Sequence, residues 1–461
     1  MTAPTVPDTR AAQADRRAVR TSTIAGSIGV LVHWFDWAVY AYMATTISAV
    51  FFPEASKTAG LLATFGVFAI SFLVRPIGAV IFGRLGDKLG RTTTLTVVIL
   101  SMALSTLVLG ILPGYATIGI VAPILLIATR VVQGLAAGGE FGSAAAFLGE
   151  FSPAHRRGFG CSWLEFGSLL GFLLASFVVL VLETVFTGDQ ITGWAWRIPF
   201  LVTVPLGLIG FYIRRRIEDT PEFRALQELE TVASSPVREV FRSNWREFLK
   251  TCGMETFMNV TFYVVLVYLL TYQEVSLGFD AGRAALLSTL GSALALVVVP
   301  LAGAASDKVG RRPVLFTAAI ALTVLSVPLF ALMRTGTTGA ALISTMGLAL
   351  ILAIILGTHA VTVVELFPTR TRQTGLSIAY AVTAALFAGT APYLLTWLID
   401  ATGNTMMPGY FLAFVGVIGI ITVATIRESR GIDLMKDEDL GRAAPAPAPG
   451  TVTVPPAAPR V

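Results

Sequence analysis

The sequence predicts an all-helical membrane protein whose twelve transmembrane helices form two six-helix pseudo-repeat halves, and three observations predict it. Hydrophobic residues fill 55% of the 461 positions and charged residues only 13%, about half the charged share of a soluble protein. Apolar stretches of the roughly 20 residues that a bilayer core demands recur from Ile24 to Ile426 with short polar breaks. Two polar motifs also recur in the same order, 220 and 215 residues apart.

In chain order the expected spans are 24–50, 59–82, 93–112, 118–148, 160–185, 198–213, 248–272, 281–305, 314–333, 339–365, 375–398 and 408–426. Residues 1–23 hold Arg10, Arg16, Arg17 and Arg20, and the first apolar run is too long for a cleavable signal peptide, so this segment is expected to stay in the cytoplasm. Residues 24–213 and 248–426 are the two halves, and 214–247 is an Arg-rich cytoplasmic central loop. Within that loop Asp219-Thr220-Pro221-Glu222 reads as the cap and first turn of a short helix. Residues 427–461 form a cytoplasmic tail that becomes Ala/Pro-rich after Gly441 and is expected to be disordered. Trp194 and Trp196 fall at an outer boundary, where indoles anchor helix ends among the headgroups. Cys161 and Cys252 sit near cytoplasmic helix ends and read as inert small residues.

The formal charge of +5 and pI near 9.3 would suggest a nucleic-acid partner in a soluble protein. Here the cations orient the spans instead. All but six of the 33 Lys and Arg fall in the termini and even-numbered loops; Lys57, Arg197, Arg283 and Arg334 lie outside, and Arg75 and Arg130 lie in the membrane. This bias places both termini in the cytoplasm.

The internal repeat is carried by two motifs. The nine residues Gly83 to Arg91 (GRLGDKLGR) are echoed by Gly303 to Arg311 (GAASDKVGR), each copy following an even-numbered span. Glu150-Phe151-Ser152-Pro153 with Arg157 and Gly160 recurs as Glu365-Leu366-Phe367-Pro368 with Arg372 and Gly375. Parallel duplication of this kind builds transporter halves.

At these residues the sequence resembles the major facilitator superfamily, whose signature loop reads Gly-x-x-x-Asp-(Lys/Arg)-x-Gly-Arg. More narrowly it looks like the metabolite:proton symporter family, which includes α-ketoglutarate, citrate, shikimate and proline/betaine permeases, over about Gly26 to Arg427. The α-ketoglutarate branch is the nearest in its motifs. The likeness rests on Trp34-Phe35-Asp36, the run Phe72 to Gly78 (FLVRPIG), Arg130-Val131-Val132-Gln133-Gly134, Gly138-Gly139-Glu140-Phe141-Gly142, the run Trp196 to Phe200 (WRIPF) and Phe387 to Pro392 (FAGTAP). Two departures stand out: His33 occupies a position where the family carries glutamate, and Ala381 follows Tyr380 where asparagine is common. The resemblance implies alternating access without any cofactor, driven by the proton gradient. In the family the signature loop acts as a gate latch, which points to Gly83, Asp87, Gly90 and Arg91 and to Asp307, Gly310 and Arg311.

Charge within the spans marks the candidate site, because an ionised group at the bilayer centre costs at least ~2.5 kcal/mol. Gly26, Gly29, His33, Asp36 and Tyr40 share one helical stripe that is expected to face the cavity. Asp36 reads as a proton carrier, with His33 one turn away modulating it or taking the proton itself, or as half of a His–Asp pair that fixes packing. Arg130, with Gln133 and Glu140 at helical spacing, suits a carboxylate ligand or a permanent ion pair with Asp36 or Glu140. Arg75, Glu165, and the span-7 series Glu255, Asn259 and Tyr263 are candidate substrate contacts, with His359 and Tyr380 behind them. Asp87 and Asp307 are expected to take helix N-termini or arginines as partners across the contact between halves.

These readings favour proton-coupled import of a small organic acid across the plasma membrane by a monomeric symporter, with lipid and protons as its other partners and no nucleic acid. Uptake of a zwitterion such as proline or betaine is the alternative, with a passive facilitator as a second. Span 5 lacks the Gly-Pro-x-x-Gly-Gly pattern of drug/proton antiporters, and no signalling domain favours a sensor. No nucleophile–base pair, metal cluster or phosphate loop outside the membrane points to an enzyme.

Overall fold

The computed structural model describes residues 30–31, 33–78, 81–82, 91–137, 145, 148–149, 152–218, 236–432 and 434. Twelve spanning helices follow one another: α1 (residues 33–51), α2 (Lys57–Gly78), α3 (Arg91–Ile111), α4 (Val121–Ala136), α5 (Arg157–Val185), α6 (Arg197–Glu218), α7 (Trp245–Val275), α8 (Ala281–Val309), α9 (Arg311–Met333), α10 (Thr338–Leu366), α11 (Thr371–Thr402) and α12 (Met407–Thr425). Eight of them are long and apolar enough to cross a membrane on their own, and α6 joins them through a 49° bend at its start. α3 and α4 contribute the shorter apolar stretches Leu100–Ile111 and Val121–Ala136.

Local chemistry sets the helix starts. The Ser56, Asp280 and Thr337 side chains accept from the backbone N–H groups of Ala59, Arg283 and Ala340, capping α2, α8 and α10. Gly403, at φ +65°, closes α11 in the left-handed conformation that ends helices. The outer surface is apolar: Phe414, Ile421, Val297, Leu301 and Val324 are each at least 60% exposed. A face of this kind is matched by lipid.

The packing is duplicated like the sequence. α3 lies on α6 in the first half, as α9 lies on α12 in the second. The halves meet along a seam where α5 packs on α8 and α2 on α11, the two contacts that a parallel repeat makes equivalent. α5 and α8 approach closely at Gly158 and Gly303, where a Cβ on either would meet the backbone oxygen of the other at 2.6 Å.

Several details differ from the sequence reading. α6 continues to Glu218, and Pro236–Ser243 forms a short helix within the expected central loop. The predicted turn at 219–222 lies outside the described residues, as do the tail beyond 434 and residues 1–23. Among the described residues three segments are π-helical, Ile191–Ala195, Tyr263–Tyr268 and Ala384–Ala388. Trp194 is exposed as an anchor would be, whereas Trp196 is buried against Phe51 and Phe200 with the Arg197 guanidinium 4.6 Å from its ring. Its partners on α1 and α6 take the surface that lipid would have covered. Trp196→Ala is therefore expected to lower stability by ~3 kcal/mol through cavity formation, with Trp194→Ala near neutral, measured by thermal unfolding in detergent.

Candidate functional site

One polar cluster lies inside the first half. Asp36 on α1 accepts hydrogen bonds from Thr106 on α3 (3.0 Å) and from Gln133 on α4 (3.2 Å), and its Oδ2 lies 3.5 Å from Arg130 Nη1. Arg130 donates to Gln133 (2.7 Å), and its guanidinium sits 3.8 Å from the Tyr40 ring centre. Tyr40 donates in turn to the Thr64 carbonyl on α2. The expected stripe of Asp36 and Tyr40 thus points at α2, α3 and α4 of its own half. Trp34, on another face of α1, meets the other half, 5.2 Å from Phe262 between ring centres. His33 lies against Trp34 and Trp37. Thr106 escaped the sequence reading, since a lone threonine in an apolar span carries no signal of its own.

A second cluster lies on the seam. Arg75 on α2 is 3% exposed and stacks over Trp37 (4.4 Å) and Phe72 (3.9 Å). It hydrogen-bonds the Tyr380 hydroxyl of α11. Its Nε and Nη2, the paired donors on one edge of the guanidinium, have no hydrogen-bond partner among the described residues. Close by, the His359 imidazole of α10 spans two carboxylates: Nε2 is 3.3 Å from Glu255 Oε1 on α7, and Nδ1 is 4.0 Å from Glu165 Oε1 on α5. Asn259 donates to the other Glu255 oxygen at 3.4 Å. Aromatic rings from both halves wall this region, with Trp34, Phe172 and Phe262 in mutual contact and Phe72 5.3 Å from Tyr263. The structure therefore brings Arg75, Glu165, Glu255, Asn259, Tyr263 and Tyr380 to one place. His359, a weaker candidate in the sequence, is at its centre.

The third cluster closes the seam on the face where α12 ends, here called the tail face. Asp307 at the end of α8 accepts the first backbone N–H groups of α5, from Gly158 (2.8 Å) and Phe159 (2.9 Å). A carboxylate thus caps a helix of the opposite half. Arg311 binds Asp307 (2.8 Å) and reaches Glu365 with two nitrogens, while Arg157 of the first half reaches Glu365 at 3.0 Å. The segment after α12 folds back over this group: Ser429 donates to Glu365 (2.6 Å), and Arg157 and Arg372 donate to the carbonyls of Ile432 and Leu434. Gly310, at φ +110°, turns the chain between α8 and α9, and a Cβ there would lie 2.7 Å from a Glu428 oxygen. On the opposite face Thr45 of α1 donates to Glu274 of α7 at 3.0 Å, so the seam is bridged at both ends. The first copy of the loop motif, with Gly83, Asp87, Gly90 and the Arg91 side chain, lies outside the described residues, as does Glu140.

Two halves related by a repeat, polar groups gathered mid-seam and ion pairs at the rim are the anatomy of an alternating-access carrier. The profile of the Major Facilitator Superfamily matches residues 27–383. The chain belongs to the Major Facilitator Superfamily. It is 37% identical over 424 residues to a proline/betaine transporter of Salmonella typhimurium, covering 90% of this chain and 85% of that one. It is 36% identical over 424 residues to a glycine betaine/proline/ectoine/pipecolic acid transporter of Dickeya dadantii, covering 90% and 84%. Among solved structures, the inward-open xylose transporter XylE from E. coli aligns with a TM-score of 0.70 at 19% identity over 92% of this chain and 99% of that one. The protein is accordingly a multi-pass membrane transporter of this superfamily.

The strap after α12 gives a test with a defined sign. Partial burial works to raise the Glu428 pKa, but backbone N–H bonds from Arg311, Arg312, Arg430 and Ser429 outweigh it and hold the carboxyl below its ordinary value. A depressed folded value means that this contribution is complete above the usual glutamate range and is lost as pH falls through the folded value. Glu428→Gln at neutral pH is expected to loosen the strap as acid does, read as faster hydrogen exchange at the Arg311 and Arg312 amides.

Proposed function

We propose that this transporter takes up a small zwitterion of the proline or betaine type, driven by the proton gradient across the plasma membrane, with the tail face and both termini in the cytoplasm. The observation that carries the substrate reading is the unpaired Nε–Nη2 edge of Arg75 beside the aromatic wall of the seam. Such an edge fits a carboxylate bidentately. The faces of Trp34, Phe172 and Phe262 suit a quaternary or secondary ammonium, which aromatic rings attract without fixing a counter-charge. The proline/betaine relatives support the same chemistry. The organic acid expected from the sequence shares the carboxylate but leaves the aromatic wall without a cation to receive. Orientation follows the positive-inside bias, and monomeric function follows from a seam complete within one chain.

Asp36, Arg130, Gln133 and Thr106 hold α1, α3 and α4 in register in this reading, because all four lie in one half. Glu165, Glu255, Asn259, Tyr263 and Tyr380 line the substrate position from both sides, and Asp307, Gly310 and Arg311 form the latch.

The test is uptake into liposomes of radiolabelled glycine betaine, proline, 2-oxoglutarate, citrate and shikimate, with an inward proton gradient and with it collapsed. Gradient-dependent accumulation of betaine or proline is expected; accumulation of an organic acid alone refutes the zwitterion. Arg75→Lys removes the planar fork and is expected to raise KM roughly 10-fold or more, the worth of a charged hydrogen bond. Asp36→Asn leaves Arg130 buried without its counter-charge and is expected to cost about 3–5 kcal/mol of stability, measured by thermal unfolding. Loss of coupling in an Asp36→Asn protein of normal stability would instead make Asp36 a proton carrier.

A further inference from the structure

We propose that Glu165, His359 and Glu255 form a proton-binding site built across the seam, whose occupancy is linked to a substrate carboxylate on Arg75. The proposal deepens the symport reading above and rests on it.

Its basis is the geometry of one imidazole between two carboxylates. His359 directs Nδ1 toward the first half and Nε2 toward a neighbour in its own half. A neutral imidazole has one N–H and satisfies one of the two acids; an imidazolium has two and satisfies both. Glu165 Oε1, facing Nδ1 at 4.0 Å, has no hydrogen-bond partner among the described residues, and Glu255 Oε1 has none besides the ring. All three side chains are buried, with Glu255 and His359 at 0% exposure. The attraction between Glu165 and His359 across the seam therefore depends on one proton.

Charge bookkeeping gives the linkage. The titratable or charged groups around the triad are Glu165 on α5, Glu255, Cys252 and Tyr263 on α7, Tyr380 on α11 and Arg75 on α2. α8, which also packs against α10, carries titratable side chains near its two ends, Arg283, Asp307 and Lys308, leaving its middle without any. Counted over the cluster with tyrosines and cysteine neutral, the two glutamate charges are matched by the Arg75 charge and one proton on the triad. A substrate carboxylate on the open edge of Arg75 claims that guanidinium as its own counter-ion. The glutamates then lose their share of it, and in a buried site the deficit is made good most cheaply by a proton. The cationic end of a zwitterion rests on rings and does not replace that proton. The same argument holds for any carboxylate substrate, so the linkage survives a wrong choice between zwitterion and organic acid. When the halves separate, Glu165 leaves His359 and the proton is released to the open side.

The test measures proton uptake on substrate binding. Purified full-length protein in unbuffered detergent solution is titrated with glycine betaine beside a pH-indicating dye, and gradient-free betaine counterflow is followed in liposomes. Wild type is expected to take up about one proton per betaine bound near neutral pH. His359→Gln is expected to lose most of that uptake while counterflow continues, Glu165→Gln to lose it as well, and Asp36→Asn to retain it. Counterflow in wild type without proton uptake overturns the proposal and leaves the substrate reading standing, as does unchanged uptake in either triad variant. If betaine neither binds nor exchanges, the zwitterion reading fails, and the same titration with 2-oxoglutarate decides the proton site: uptake that the triad variants lose sustains it, and no uptake overturns it.

Discussion

Charge that is buried in a membrane protein has to be neutralised by a partner, and along the seam several of these partnerships cross from one half to the other. Glu365 of the second half holds Arg157 of the first, Asp307 caps the start of α5, and His359 joins Glu165 to Glu255. Lipid offers no hydrophobic drive to press one helix bundle against another. Cohesion of the seam therefore depends on these polar contacts and on close van der Waals approach, as where Gly158 and Gly303 let α5 and α8 touch. Contacts of this kind can also be broken without exposing an apolar core to water. A carrier needs that property.

The two ends of the seam are built differently. On the tail face the bonds form a network in which Glu365 alone serves Arg157, Arg311 and Ser429, and the chain after α12 is drawn into it. On the opposite face the described residues offer neutral-donor contacts such as the hydrogen bond from Thr45 to Glu274. Opening the tail face requires several charged bonds to yield together, whereas opening the other requires few. This asymmetry ties the position of the post-α12 segment to the conformational balance. Glu428 caps α9 with its carboxylate, whose oxygens lie where a Cβ on Gly310 would have to go.

Much of this was legible in the sequence, and what was not has physical reasons. Composition and the 220-residue repeat gave the helices and their duplication, because lipid and helix length constrain them directly. Arg75, Arg130, Glu165 and Glu255 stood out because charge in a span is costly wherever it points. Direction was the harder matter: helical spacing put Asp36 and Tyr40 on one stripe, but spacing alone cannot say whether a stripe faces the seam or the neighbouring helices of the same half. His359 looked ordinary because its two partners are 194 and 104 residues away in the chain. Trp196 looked like an interfacial anchor because sequence position says nothing of whether α1 or lipid covers the indole. The π turns at Tyr263–Tyr268 and Ala384–Ala388 have no pattern in the residues that announces them.

The difference between the two acidic clusters follows from the same geometry. Every partner of Asp36 described here, Thr106, Gln133 and Arg130, belongs to its own half, so a rigid-body movement of one half against the other leaves that network intact. Glu165 and His359 belong to different halves, and the same movement pulls them apart. A proton on Asp36 reports the local state of one half; a proton on the seam triad reports whether the two halves are together. Coupling requires the ion's affinity to change with the state of the carrier. By that criterion the seam triad is placed to couple, and Asp36 is placed to keep α1 and α4 in the register that carries Tyr40 and Trp37 beneath the two buried arginines.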